Sequence, residues 1–199
     1  MSAVALVDAG GANLGSVRYA LERLGAEVRV ARDPAGLDGC ARVVLPGVGA
    51  AAPAMAALRA RGLDDALRRS TVPLLGICLG MQLLFDHSEE GDVACLGILA
   101  GRVRRMSPAP GARVPHMGWN RLRHRRESWL TQGIADGGQA YFVHGYAAPV
   151  DDACIASCEH GAPFAAVAGR GRAWGAQFHP ERSAALGARL LSNFLAIDP

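Results

Sequence analysis

Short apolar runs alternate with amphipathic stretches through the first half of the chain. Val4-Ala5-Leu6-Val7-Asp8 is an apolar run that ends at a glycine-rich turn, as buried parallel strands do. Val17, Ala20, Leu21 and Leu24 then follow helical spacing on one face, with Gly25 placed to end the helix. Val28 and Val30 alternate with charged neighbours and predict a second strand. Arg42-Val43-Val44-Leu45 predicts a third, which enters the loop Pro46-Gly47-Val48-Gly49. A helix is expected from near Pro53, because proline suits the first helical turn. Leu74-Leu75-Gly76-Ile77 reads as another buried strand, and residues 79–85 resume a helical apolar pattern. This rhythm implies an α/β fold with a mostly parallel central sheet flanked by helices.

The pattern changes in the second half. Apolar runs around 140–146, 153–159, 163–168 and 173–179 are short, and turns such as Gly169-Arg170-Gly171 separate several of them. They predict hairpins or a meander, hence a smaller antiparallel sheet in the C-terminal half. A last helix, about 184–196, sets Leu186, Leu190, Phe194 and Leu195 near one face. No internal repeat or linker interrupts the chain, so residues 1–199 read as a single domain with room for a sizeable core.

Composition narrows the function classes. Half of the residues are hydrophobic, which argues against disorder. The formal net charge is +3, carried by arginine with no lysine. The one basic cluster, Arg121-Leu122-Arg123-His124-Arg125-Arg126, lacks the interleaved aromatics of a nucleic-acid stripe, so no nucleic-acid partner is expected. Cysteines 40, 78, 95, 154 and 158 are odd in number and form no C-x-x-C pair, which favours a reducing cytosol over a disulfide scaffold. The uncharged stretches 43–58 and 70–85 are broken by Pro and Gly and fall short of the ~20 residues a membrane span needs. The N-terminus lacks a basic segment, and Asp8 cuts its apolar run, unlike a signal peptide. A soluble cytoplasmic protein is expected.

Candidate chemistry begins at Gly76-Ile77-Cys78-Leu79-Gly80, between a buried strand and a helix. A nucleophile on such a tight turn adopts strained dihedrals and needs small neighbours. The helix N-terminus favours a thiolate, and the Leu79 N–H would point into the same space to meet an oxyanion. The competing reading, a buried structural cysteine, suits the other four cysteines, which lack these surroundings. Trp174-Gly175-Ala176-Gln177-Phe178-His179-Pro180-Glu181 supplies a base and its orienter. Residues two apart in extended backbone project to one side, so Glu181 can hold one ring nitrogen of His179 and leave the other for Cys78. His144, in the apolar strand Tyr141-Phe142-Val143-His144, is a rival base, although a pocket-lining or structural role fits its surroundings better. Zinc is a weaker possibility, since Cys154, Cys158 and His160 lack a four-ligand spacing. Neither a metal nor another cofactor is expected.

Through these segments the sequence resembles the class I glutamine amidotransferases along essentially its whole length. Gly76-Ile77-Cys78-Leu79-Gly80-Met81-Gln82-Leu83-Leu84-Phe85 looks like their nucleophile segment, and Gln177-Phe178-His179-Pro180-Glu181 is similar to their histidine–glutamate segment. Asn13-Leu14, Pro46-Gly47-Val48-Gly49, Pro115-His116-Met117-Gly118-Trp119-Asn120 and Tyr141-Phe142-Val143-His144 resemble, more narrowly, the glutaminase subunits of imidazole glycerol phosphate synthase. The resemblance implies a flavodoxin-like amidotransferase fold, a catalytic triad of Cys78, His179 and Glu181, and L-glutamine as substrate. It further implies a heterodimer with a (β/α)8-barrel cyclase. Oxyanion donors would be Leu79 and Val48, and glutamine would be held by Gly47, Gly49, Gln82, Glu90, Gly145 and Tyr146. Asn13, Trp119, Tyr141 and Arg182 would face the cyclase; Trp119 and Tyr141 would otherwise read as core packing.

Three positions depart from that pattern. Ala9 follows Asp8 where the family usually has tyrosine, Ala50 follows the 46–49 loop where phenylalanine is common, and Gly145 stands where a hydroxyl residue is common. Gly145 leaves only backbone groups to contact glutamine there. Other readings are the glutaminase of a different synthase, a cysteine hydrolase of peptides or esters, and a catalytically silent interaction subunit. The 115–120 segment argues against the first, Gln82 and Glu90 against the second, and the intact Cys78, His179 and Glu181 against the third.

Overall fold

The computed structural model describes residues 3–10 and 13–197. The first half alternates as its pattern predicts: β1 (Val4–Val7), α1 (Leu14–Arg23), β2 (Val28–Ala31), β3 (Arg42–Gly47), α2 (Ala51–Ala60), α3 (Leu63–Arg69), β4 (Leu74–Cys78) and α4 (Leu79–Leu83). Short strands follow, β5 (His87–Ser88), β6 (Val93–Ala94), β7 (Arg102–Arg105), β8 (His116–Arg121), β9 (Arg123–His124), β10 (Gln139–His144) and β11 (Tyr146–Ala147). The chain closes with β12 (Cys154–His160), β13 (Ala162–Arg170), β14 (Ala173–Ala176), a 3₁₀ turn (Pro180–Arg182) and α5 (Ala184–Leu195).

Among the described residues the main sheet has the order β2-β1-β3-β4-β14-β13-β12-β9. Strands β2, β1, β3, β4 and β14 are parallel, and β13, β12 and β9 extend them in antiparallel fashion. Alternate residues of β1 enter different cores. Val4 and Leu6 pack with Val17 and Leu21 of α1 and Leu190 and Phe194 of α5, while Ala5 and Val7 pack with Met55 and Leu58 of α2. Burial on both faces is why this strand reads as continuous apolar sequence. The smaller sheets are the antiparallel pair β8/β10 and the group β11-β7-β5-β6.

Two expectations need adjustment. The antiparallel run after residue 153 does not stand apart: β14 pairs with β4 in parallel and carries the β12–β13 hairpin into the main sheet, while the separate antiparallel pair in this half is β8/β10. That junction depends on a pairing across about a hundred residues, which local patterning does not encode. The second helix starts at Ala51 rather than near Pro53. Proline in the third helical position still lies in the first turn, where a missing N–H forfeits no intrahelical bond. On the helix faces, Leu24 and the flanking Leu186 and Leu195 are only partly covered, whereas Val17, Ala20, Leu21, Leu190 and Phe194 are buried.

Candidate active site

Cys78 ends β4 and precedes the first residue of α4, with φ 54° and ψ −112°. A non-glycine residue at positive φ is strained and persists only where its surroundings hold it. Those surroundings are the two flanking glycines. A Cβ on Gly76 would lie 2.6 Å from the Gly80 carbonyl oxygen and the Met81 nitrogen, and one on Gly80 would collide with the Leu45 carbonyl of β3. The turn is thus closed by backbone packed against backbone. Leu79, first in α4, has an N–H beyond the reach of any intrahelical acceptor.

His179 is carried to this turn by β14 and fixed by long-range bonds. Its backbone N–H donates to the Tyr141 carbonyl of β10 at 3.0 Å, and its own carbonyl accepts the Ser183 hydroxyl at 2.7 Å. His179 Nδ1 lies 2.7 Å from Glu181 Oε1, both side chains being buried. The route to that contact differs from the expected one. Strand β14 stops at Ala176, and the Pro180–Arg182 3₁₀ turn, rather than strand alternation, brings Glu181 back to the ring. With Nδ1 donating to the carboxylate, the tautomer is set and Nε2 is the basic nitrogen. Nε2 is buried and makes no well-formed hydrogen bond among the described residues. Burial disfavours the imidazolium, but Cys78 and Glu181 beside it outweigh this and push the His179 pKa up to about 10. For Glu181, burial works in the opposite direction, yet its bonds to His179 and then Asn13 hold its pKa below the ordinary carboxylate value.

A cavity of about 320 Å³ joins these groups. Cys78, Leu79, His179, Val48, Gly49, Gln82, Glu90, Gly145, Tyr146, Asn13 and Arg182 line it, with Val143 and His144. Of the residues implied for glutamine, only Gly47 is set back: it lies under the loop, where a Cβ would be 2.9 Å from Gly80 N and Leu79 Cβ. Gln82 Nε2 donates to the Tyr146 carbonyl at 2.8 Å and to Gln177 Oε1 at 3.0 Å. Both its hydrogens are engaged, which leaves the Gln82 carbonyl oxygen to accept from a ligand. Glu90 Oε2 accepts the Ala51 N–H at 3.0 Å at the start of α2; burial, against this bond, raises the Glu90 pKa. Gln177, given no role from sequence, is fully buried, and its Nε2 lies 3.9 Å from the Cys78 sulfur. A polar residue inside the apolar run 173–178 was the available signal.

The β8/β10 ribbon frames the cavity with two different faces. Trp119 is registered opposite Tyr141, and His116 opposite His144. Trp119 is 52% exposed, so it is not core. Its ring centroid lies 6.0 Å from that of Tyr141, and the Arg182 guanidinium sits 5.2 Å from the Tyr141 ring, making one aromatic and cationic surface patch. On the inner face, His144 Nδ1 is 2.9 Å from the Tyr146 carbonyl and His144 Nε2 is 3.3 Å from His116 Nδ1. Both nitrogens of His144 are committed, which removes it as a rival base and leaves it a wall of the cavity. Burial lowers the pKa of His116 to about 4 and of His144 to about 3, so both are neutral at pH 7. Asn13, expected on the partner side, reaches the cavity and donates to Glu181 Oε1 at 2.7 Å.

Size alone would point elsewhere, because the depression formed by residues 124–129, Thr131, Gln132 and Ile134 is about 860 Å³. It contains no cysteine and no carboxylate-held histidine, so the smaller cavity is the candidate site. Among the described residues, no cluster of three or more His, Cys, Asp or Glu is arranged to hold a metal, and no helix is long and apolar enough to cross a membrane. All five cysteines are free.

A cysteine elbow, a carboxylate-held histidine and a glutamine-lined cavity on a mostly parallel sheet define an amidotransferase site, and sequence comparison agrees. The model of the family "Glutamine amidotransferase class-I" matches residues 5–197, and the chain belongs to that family. It is 66% identical over 198 residues to "Imidazole glycerol phosphate synthase subunit HisH" of Xanthomonas oryzae pv. oryzae (strain MAFF 311018), covering 100% of this chain and 99% of that protein. The protein of the same name from Xylella fastidiosa (strain Temecula1 / ATCC 700964) is 63% identical over the same shares. Among solved structures, a glutamine amidotransferase superposes with TM-score 0.76 at 21% identity over 96% of each chain. PurLQS from Thermotoga maritima superposes with TM-score 0.72 at 20% identity over 98% of each, a likeness of fold.

Proposed function

We propose that this chain is the glutaminase subunit of imidazole glycerol phosphate synthase, hydrolysing L-glutamine and delivering ammonia to a (β/α)8-barrel cyclase for histidine biosynthesis. One observation carries the reading: a strained Cys78 between Gly76 and Gly80 shares a small cavity with His179, whose far nitrogen is held by Glu181. Full-length identity of 66% to a synthase subunit supports the choice of pathway.

In this reading His179 Nε2 takes the Cys78 proton and the sulfur attacks the side-chain carbonyl carbon of glutamine. The carbonyl π pair moves to oxygen, where the N–H groups of Leu79 and Val48 stabilise the charge, each by roughly 3–4 kcal/mol. As that pair returns, the C–N bond breaks and His179 gives its proton to the departing nitrogen, releasing ammonia and leaving a γ-glutamyl thioester. Water, deprotonated by His179, attacks the thioester; glutamate leaves and the thiol regains its proton. The Gln82 oxygen and the Glu90 carboxylate suit the α-ammonium end of glutamine, and Gly49, Gly145 and Tyr146 supply the rest of the wall. The patch of Trp119, Tyr141 and Arg182 opens beside the cavity, where a cyclase would receive ammonia before it reaches bulk water.

The test is glutamate release from glutamine by the chain with its cyclase and the cyclase's ribonucleotide ligand. Cys78→Ala is expected to abolish turnover while leaving thermal unfolding within a few degrees. Turnover that survives Cys78→Ala removes the nucleophile, and turnover absent from the wild-type pair removes the pathway.

A further inference from the structure

Asn13 begins α1, yet it breaks the ordinary behaviour of a helix cap. Asparagine at an N-cap normally turns its side chain onto a backbone N–H of its own helix. Here no side-chain cap bond forms, and the residue sits in the left-handed region at φ 78°. Asparagine tolerates that conformation better than other side-chain-bearing residues, but it still carries a cost. The amide is directed instead at Glu181 Oε1, 2.7 Å away, the same oxygen that His179 Nδ1 engages at 2.7 Å. Asn13 Nδ2 also comes within 3.5 Å of His179 Nδ1. Glu181 Oε2 is buried with no hydrogen bond among the described residues. His179 and Asn13 are therefore the side chains seen to bond this carboxylate, and both grip one oxygen. A local rule is broken at the site where a distant pairing gains from it.

We propose that Asn13 is a positioning residue of the catalytic machinery, a fourth member that acts through Glu181 to hold the His179 ring. This rests on the glutaminase reading above. With His179 alone, the carboxylate is free to rotate about its terminal bond and offer Oε2, and the ring loses its fixed orientation. The Asn13 N–H ties Oε1 to α1, an element outside the His-Pro-Glu turn, and so removes that freedom. Asn13 also lines the cavity, as does Arg182.

The decisive variants are Asn13→Asp and Asn13→Gly in the full chain, assayed with the cyclase at saturation. Aspartate keeps the size and caps helices at least as well, but meets Glu181 as an acceptor. Glycine keeps the left-handed backbone and removes the amide. Expected is a fall in kcat of roughly 10- to 100-fold for Asn13→Gly and more for Asn13→Asp, with KM for glutamine within about 3-fold and Tm unchanged or raised for Asn13→Asp. The rate of Cys78 alkylation by iodoacetamide, followed against pH in the chain alone, is expected to change in both variants. Unchanged kcat and alkylation in Asn13→Asp overturn the proposal, as does a fall in kcat with the alkylation profile of the chain alone unchanged in both variants. If the wild-type pair turns over no glutamine, the glutaminase reading fails, and the alkylation profile still decides whether Asn13 acts on the cysteine–histidine pair.

Discussion

Cys78 is enclosed by two glycines that leave no space for a larger side chain, whereas His179 is suspended in hydrogen bonds drawn from other parts of the fold. The first arrangement is steric: backbone of β4 and α4 meets backbone of β3, and the strained φ of Cys78 follows from contact alone. The second is polar and composite, with Tyr141 from β10, Asn13 from α1 and Glu181 from the 3₁₀ turn each contributing. Sterics at close packing give an all-or-none response, because interiors transmit strain and seldom absorb an added methyl group. A hydrogen-bond mesh gives a graded one, because each partner can be removed while the rest persist.

The largest effect should come from the steric side. Gly80→Ala is expected to cost about 3 kcal/mol or more, roughly 6–12 °C in Tm for a chain of this length, or to prevent soluble expression. A Tm within 2 °C of wild type would show that the elbow is adaptable and erase the contrast. On the polar side, Glu181→Gln should fold normally and lose about 10²- to 10⁴-fold in kcat, since a neutral amide no longer steadies the imidazolium. Loss of fold in that variant, measured by circular dichroism, would mean that the mesh is structural as well.

The smallest effect is a pH dependence that separates the two regions further. His116 and His144 have lowered pKa values, so unfolding takes up their protons below the ordinary value of 6.5. Stability from their neutral burial is present above about pH 6.5 and fades as pH falls towards 4. Both groups act in the same direction, so the acid limb slopes downward as pH falls. The sign for His179 is reversed: its raised pKa contributes stability fully present below 6.5 and lost as pH rises through about 10. Urea midpoints from pH 4 to 10 should therefore fall at both ends, and a flat acid limb would remove the neutral histidine pair.

The legible parts of the site were those with local physics. Gly76, Cys78 and Gly80 announce a tight turn because their spacing alone forbids larger neighbours, and Glu181 stands two residues from the ring it holds. Strand and helix in the first half were legible because each buries a periodic set of side chains. Gln177 was visible only as an unexplained polar residue in an apolar run. The implied partner-facing role of Asn13 gave no sign of its bond to a residue 168 positions later.

From the sequence by itself came the parallel half of the sheet, the elbow and the candidate nucleophile, base and carboxylate, since these depend on periodicity and on neighbours in the chain. Only the tertiary structure decided that the C-terminal hairpin continues the main sheet, that His116 and His144 meet as a pair kept neutral by burial, and that Gln82 spends both amide hydrogens inside the protein. Such outcomes turn on which strands become neighbours and which polar groups meet once water is excluded. Pairings of that kind are set by the packed fold as a whole, and no stretch of chain carries them alone.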